Sequence, residues 1–233
     1  YGNKEILKKN IENFQSIKKS CEIIHTEDQI LDDESPLKAI KRGKKSSMWS
    51  SIESQTENFS DITLSAGNTG ALLIISRMIL KTLEGIDKPA LAGLWPNKNG
   101  MNIVLDLGAN IECNEKNLID FSNMGSALYK SIFKNDKPRV ALLNIGLEEI
   151  KGKDFLKKAF NLLKENSNTD FKFDGYIEGN NIMSGDVDVI VTDGFTGNIA
   201  LKTAEGTANF ITNGLKESLT KASMLLSYSK LKK

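Results

Sequence analysis

Three short segments of the chain combine glycine with small polar residues: Ser65-Ala66-Gly67-Asn68-Thr69-Gly70, Asp106-Leu107-Gly108-Ala109-Asn110 and Thr192-Asp193-Gly194-Phe195-Thr196-Gly197-Asn198. Glycine lets a backbone turn sharply and approach a ligand closely, and free N–H groups at the start of a following helix make a ready anion site. Phosphate is the anion such turns suit. The candidate binding residues are Ser65, Gly67, Asn68, Thr69 and Gly70 in the first turn, Asp106, Gly108 and Asn110 in the second, and Asp193, Gly194, Thr196 and Gly197 in the third. The same residue types also build plain turns and helix caps, so the recurrence of the pattern carries more weight than any one copy. None of the three has the Walker spacing or the Gly-x-Gly-x-x-Gly spacing, which removes support for a nucleoside triphosphatase or a standard dinucleotide site. Lys151, in Asn144-Ile145-Gly146-Leu147-Glu148-Glu149-Ile150-Lys151-Gly152, is a further candidate. An ammonium there is suited to phosphate or to an emerging oxyanion, and a solvated surface lysine is the alternative.

Other chemistries lack their residues. His25 is the single histidine, and no Gly-x-Ser-x-Gly elbow or Cys-His pairing accompanies it, which disfavours a serine-triad hydrolase. His25 itself reads as structural or surface. No His/Cys/Asp/Glu cluster has metal-ligand spacing, so neither a tightly bound metal nor a cofactor is expected. Cys21 and Cys113 read as two reduced thiols; Cys113 as a covalent acyl acceptor is the weaker reading, since nothing nearby in sequence marks a stabilised thiolate. Lys plus Arg number 31 against 30 Asp plus Glu, a balance that argues against a general nucleic-acid binder. No apolar run reaches the roughly 20 residues needed to cross a bilayer, so a cytoplasmic protein, at most peripheral to the membrane, is expected.

The elements that must position these residues follow from hydrophobic periodicity. Leu7, Ile11, Phe14 and Ile17 share a helical face, and 21–25 then reads as a strand. Helices are expected over 46–58, 70–80, 117–133, 155–165 and 197–216, and strands over 62–64, 103–105, 140–143 and 187–191. Strands alternating with helices predict an α/β fold with a largely parallel sheet covered on both faces. Residues 1–220 are expected to form one such domain, followed by a basic amphipathic tail over 221–233. Ligands of such sheets bind beyond the carboxyl ends of the strands, where the three turns and Lys151 are expected to lie.

Taken together the motifs resemble the phosphate acyltransferases of bacterial phospholipid synthesis. The likeness is carried by Lys44-Lys45-Ser46-Ser47-Met48, the 65–70 turn with Ala71-Leu72, Gly85-Ile86-Asp87-Lys88-Pro89-Ala90-Leu91, the 106–110 turn, Met124-Gly125-Ser126, Ala141-Leu142-Leu143-Asn144-Ile145-Gly146, and the 192–198 turn with Leu201-Lys202-Thr203. They occur in the family's order across about residues 1 to 220. The family has an opening strand with an Asp-x-Met-Gly-Gly-Asp turn and further helices after 220, neither of which is seen, so the chain is expected to be truncated at both ends.

The resemblance implies a three-layer α/β/α fold similar to phosphotransacetylases and isocitrate-dehydrogenase-like enzymes, a homodimer, and catalysis without metal. It implies transfer of a fatty acyl group from acyl carrier protein to inorganic phosphate, with Lys151 and Asn198 functional. The acyl phosphate product implies a membrane-bound glycerol-3-phosphate acyltransferase as the next enzyme and peripheral association with an anionic membrane surface. Phosphate is already an anion at neutral pH, so the reaction needs positioning and oxyanion stabilisation more than a strong base. The 65–70 and 192–198 turns are assigned to phosphate and thioester placement, Lys151 to charge neutralisation, and Asn198 to donation toward the oxyanion. The basic run Lys41-Arg42-Gly43-Lys44-Lys45 suits an acidic partner such as the carrier protein, and a solvated loop is its plainer reading. A short-chain acyl-CoA phosphotransacetylase and a non-catalytic acyl-lipid-binding module are the alternative functions.

Overall fold

The apolar spacing of the first ninety residues folds into helices and leaves no sheet among them. The computed structural model describes residues 1–165 and 170–230, with the side chains of 36, 37, 42 and 221–230 outside the description. It divides into two compact units, Tyr1–Pro89 and Ala90–Lys233. In the first, the helices are α1 (Lys4–Ile11), α2 (Gln15–Ser20), α3 (Pro36–Arg42), α4 (Ser47–Thr56) and α5 (Thr69–Leu80). Its core is small: Ile30, Ala39, Met48, Trp49, Ile52, Ala71 and Ile75. Side-chain caps start the two helices that supply most of it. Ser46 Oγ accepts from the Trp49 N–H at 3.2 Å, and Asn68 Oδ1 accepts from the Ala71 N–H at 2.9 Å.

Two expected strands do not form in this unit. Residues 21–25 contribute a single parallel bridge, His25 to Gly2, and 62–64 join no ladder, with Ile62 81% and Leu64 95% exposed. β-branched residues favour a strand only where a neighbouring strand takes up their N–H and C=O groups, and here none does. The face read across Leu7, Ile11, Phe14 and Ile17 is divided between α1 and α2.

The second unit holds a five-stranded sheet: β1 (Gly93–Asn97), β2 (Gly100–Leu105), β3 (Arg139–Asn144), β4 (Lys172–Glu178) and β5 (Val189–Val191), in the order β1-β2-β5-β3-β4. β1 and β2 form an antiparallel hairpin, and every other pairing is parallel. Residues of the inner strands alternate between two cores. Ile103, Leu105, Val140, Leu142, Val189 and Val191 pack with α6 (Glu115–Phe133) and α7 (Asp154–Glu165). Val104, Ala141, Leu143 and Ile190 pack on the opposite face with Ala200, Leu201 and Ala204 of α8 (Gly194–Lys230). The unit is therefore a three-layer α/β/α sandwich with a largely parallel sheet. β1 and β4 were not anticipated, and α8 starts three residues earlier than its expected bound. The side chains of the basic tail from residue 221, and all of 231–233, lie outside the described residues.

The amino-terminal end of the inner strands β3 and β5, away from the turns, is pinned by an ion pair. Asp188 enters β5 and accepts from the Arg139 N–H at 2.7 Å, from its guanidinium at 3.1 and 3.0 Å, and from the Tyr129 hydroxyl at 3.4 Å. Burial alone pushes the Asp188 carboxyl up, but the Arg139 hydrogen bonds outweigh it and hold the carboxyl below its ordinary value. A lowered folded-state pKa contributes stability that is fully present above the unfolded value of about 3.9 and is lost as pH falls through the folded value. We expect Asp188→Ala to lower unfolding stability by about 3 kcal/mol at neutral pH, the low end for a broken buried pair because Arg139 is partly exposed. In urea titrations at falling pH, the gap between wild type and variant should narrow below about pH 3.9; a gap independent of pH in that range would assign the loss to packing.

Candidate active site

The 106–110 and 192–198 turns leave adjacent parallel strands, β2 and β5, at their carboxyl ends. Pairing of the two strands continues one step into the turns: the Thr192 N–H donates to the Leu105 carbonyl at 2.7 Å and the Asp106 N–H to the Thr192 carbonyl at 3.1 Å. The Gly194 N–H then donates to the Asn110 carbonyl at 2.8 Å, which ties one turn to the other.

Asp106 is fully buried and organises its turn from within. Its Oδ1 accepts from the N–H groups of Leu91, Gly108 and Ala109, and its Oδ2 from the N–H and side-chain amide of Asn110, all between 2.8 and 3.1 Å. A carboxylate that takes up so many donors needs no cation to remain buried. The consequence is that the N–H groups a phosphate would use in this turn are already engaged. Asp193 does the same at the start of α8, accepting from the Thr196 N–H at 2.9 Å and its hydroxyl at 2.8 Å.

What these turns expose is Asn198. It sits in the first turns of α8 with an exposed side chain, and a Cβ placed on Gly108 would lie 2.6 Å from its Nδ2. Gly108, at φ +135°, is therefore required both for its own backbone conformation and for the room it leaves the amide. Among the described residues no hydrogen bond occupies that side-chain amide, so it is available as a donor.

The loop after β3 carries Lys151. Asn144, the last residue of β3, donates its amide to the Lys151 carbonyl at 3.2 Å and fastens the loop across its neck. The Lys151 ammonium lies 2.8 Å from Glu148, and its pKa is raised by that hydrogen bond, while the Glu148 carboxyl is lowered by the same contact. Lys151 is thus firmly cationic, and an arriving anion competes with Glu148 for it. The β3 loop and the start of α8 flank one cavity, lined by Asn144 and Gly152 on one side and Asp193 and Thr196 on the other.

The whole chain, residues 1–233, matches the family described as fatty acid synthesis protein. A phosphate acyltransferase of Pelagibacter ubique is 59% identical over 238 residues, which cover 100% of this chain and 71% of that protein. This chain belongs to the phosphate acyltransferase family. Members from Maricaulis maris and Paramagnetospirillum magneticum are 41% and 43% identical over 94% and 93% of the chain, which spans 62% of the length of each. Among solved structures, a branched-chain phosphotransacylase from Enterococcus faecalis has a TM-score of 0.49 at 14% identity, over 83% of this chain and 78% of that one.

Of the residues singled out from sequence, the structure brings the 106–110 turn, the 192–198 turn with Asn198, and Lys151 to the carboxyl ends of β2, β5 and β3. The 65–70 turn belongs to the first unit, where its side chains fasten local structure. Asn68 Nδ2 donates to the carbonyls of Leu31, Asp32 and Glu34 at 3.3, 3.0 and 2.9 Å, and Ser65 Oγ accepts from the Gly67 N–H at 3.2 Å. His25 accepts from the Lys4 N–H, and Cys113 is half-buried beside the Asn110 carbonyl. In the basic run, Lys45 pairs with Glu27 at 3.3 Å and Lys44 is exposed. Sequence reasoning missed Asn144 as the residue that positions Lys151; an amide ending a buried strand before a glycine-bearing loop was the available signal.

Proposed function

We propose that the protein transfers a fatty acyl group from the phosphopantetheine thioester of acyl carrier protein to inorganic phosphate, a reading in line with the name phosphate acyltransferase that its relatives carry. The observation that supports this best is the free Asn198 amide held against Gly108 at the same sheet edge as a cationic Lys151. A phosphate oxygen attacks the thioester carbonyl, a C–O bond forms, the C–S bond breaks, and the thiolate leaves to take a proton from solvent. In this reading Lys151 draws in the phosphate, and Asn198 donates to the oxygen that gains charge in the transition state. Asp106 and Asp193 act as positioning residues, since their carboxylates hold the turns that present Asn198. Acyl phosphate is amphiphilic, which favours handover to a membrane-bound acyltransferase; we include in the proposal a homodimer that associates peripherally with anionic membrane. No helix among the described residues is long and apolar enough to cross a membrane.

The test is thioester cleavage by the full-length protein with long-chain acyl carrier protein, with and without phosphate. Cleavage that depends on phosphate and yields acyl phosphate is expected. Preference for acetyl-CoA would move the reading to a short-chain phosphotransacetylase, and acyl binding without product would reject catalysis.

A further inference from the structure

A cavity of about 570 Å3 opens beside the turns and is filled by no side chain assigned above. Its size falls within the roughly 300–1,000 Å3 of small-molecule sites. The wall is hydrocarbon, with Leu143 from the end of β3, Phe155 from α7, Ile182 after β4 and Ile199 from α8. Its polar lining side chains are few: Asp193 is engaged with Thr196, the Asn144 amide with the Lys151 carbonyl, and the Lys153 ammonium lies 5.7 Å from the centre of the Phe155 ring. A ligand in this space gains by burying methylenes and finds few groups with which to satisfy amides of its own.

We propose that this cavity holds the fatty acyl chain of the substrate, with the reacting carbonyl at the end bounded by Asn144 and Thr196. The inference rests on the acyl-transfer reading above and adds where the chain lies. That end adjoins both the loop that carries Lys151 and the helix that carries Asn198. The phosphopantetheine arm is the poorer occupant, because most of this wall offers its two amides no partner.

Gly179 supplies a clean test. It lines the cavity, a Cβ built on it meets nothing within 4 Å, and its φ is not in the left-handed region. Gly179→Phe therefore adds a ring at the cavity wall without forcing the backbone, and Gly179→Leu is a smaller second variant; thermal unfolding checks that each is folded. In the full-length protein with saturating phosphate, the ratio of kcat/KM for palmitoyl over hexanoyl carrier protein should fall tenfold or more in Gly179→Phe and less in Gly179→Leu. Binding of cis-parinaric acid, followed by its fluorescence, should weaken in the same order. An unchanged ratio in both folded variants overturns the proposal, and so does an equal loss for both chain lengths, which would place the pantetheine arm there. If cis-parinaric acid binds and the variants weaken it while no acyl phosphate is ever formed, the cavity assignment stands and the transfer reading falls.

Discussion

Replacing Asn198 by alanine is expected to reduce phosphate-dependent acyl transfer about a hundredfold or more while the unfolding midpoint stays put. The asymmetry follows from the geometry. The Asn198 amide is exposed and makes no hydrogen bond that folding depends on, so its removal leaves no buried group unsatisfied. In the transition state, by contrast, it is a side-chain donor held against Gly108 of the β2 turn with no hydrogen bond of its own among the described residues, and deleting such a donor removes an interaction made most strongly there. The loss should accordingly appear in kcat rather than KM. Lys151→Ala should show a comparable fall in kcat/KM but with the KM for phosphate raised, since a cation that draws in the anion also acts in the ground state. Lys151→Arg should restore part of it. Turnover near wild type in either alanine variant would remove that residue from the mechanism.

The second large effect concerns stability. Gly197 lies where α8 crosses the β2 turn, and a Cβ there would collide with the backbone carbonyl of Asp106 and crowd Thr192 Cγ2 at 2.9 Å. The carbonyl cannot move aside cheaply, because Asp106 sits at the centre of its own hydrogen-bonded turn. Gly197→Ala should therefore cost about 3 kcal/mol or more by overpacking, and should abolish transfer as Asn198 is displaced. Gly206 is on the same helix with open space around it, and Gly206→Ala should instead stabilise by up to about 1 kcal/mol, the ordinary helix-propensity gain. Urea denaturation of the two variants separates packing from propensity. A Gly197→Ala midpoint equal to wild type would mean that α8 has room to shift along the sheet.

The parts of the second unit that the sequence made legible are those with a strong one-dimensional signal. Val140, Ala141, Leu142 and Leu143 are buried on both faces, so β3 shows as an unbroken apolar run, as does Val189-Ile190-Val191. α6 and α7 show as helical periodicity. β1 and β4 were illegible because they are the edge strands: Pro96 breaks the strand signal in one, and Lys172, Asp174 and Gly175 dilute it in the other. In the first unit the failure ran the other way, since the short apolar run at 62–64 resembles a strand in isolation, and whether a partner strand exists is not a local property.

The site divides similarly. Glycines beside Asp, Asn and Thr announced the two turns, the place of Lys151 after an apolar strand marked it as a candidate, and the family likeness pointed to Lys151 and Asn198 together. That the Asp106 carboxylate absorbs its turn's N–H groups depends on where those groups point, which composition does not encode. Nor does it encode the cavity, whose wall is assembled from apolar residues on four separate segments, each reading as ordinary core.

The two edge strands also decide how this sheet meets others. A sheet edge carries a row of backbone groups that invites a further strand. At β1 the row is interrupted by Pro96, which has no N–H to offer. At β4 the pairing with β3 slips register near Gly175, which has φ +85°, and Lys172 and Asp174 stand nearby as charges. Both ends are thereby blunted against strand addition, and polymerisation edge to edge is disfavoured at the level of the backbone. Any self-association of this unit is then expected through helix faces or loops, where side chains rather than the peptide ladder choose the partner.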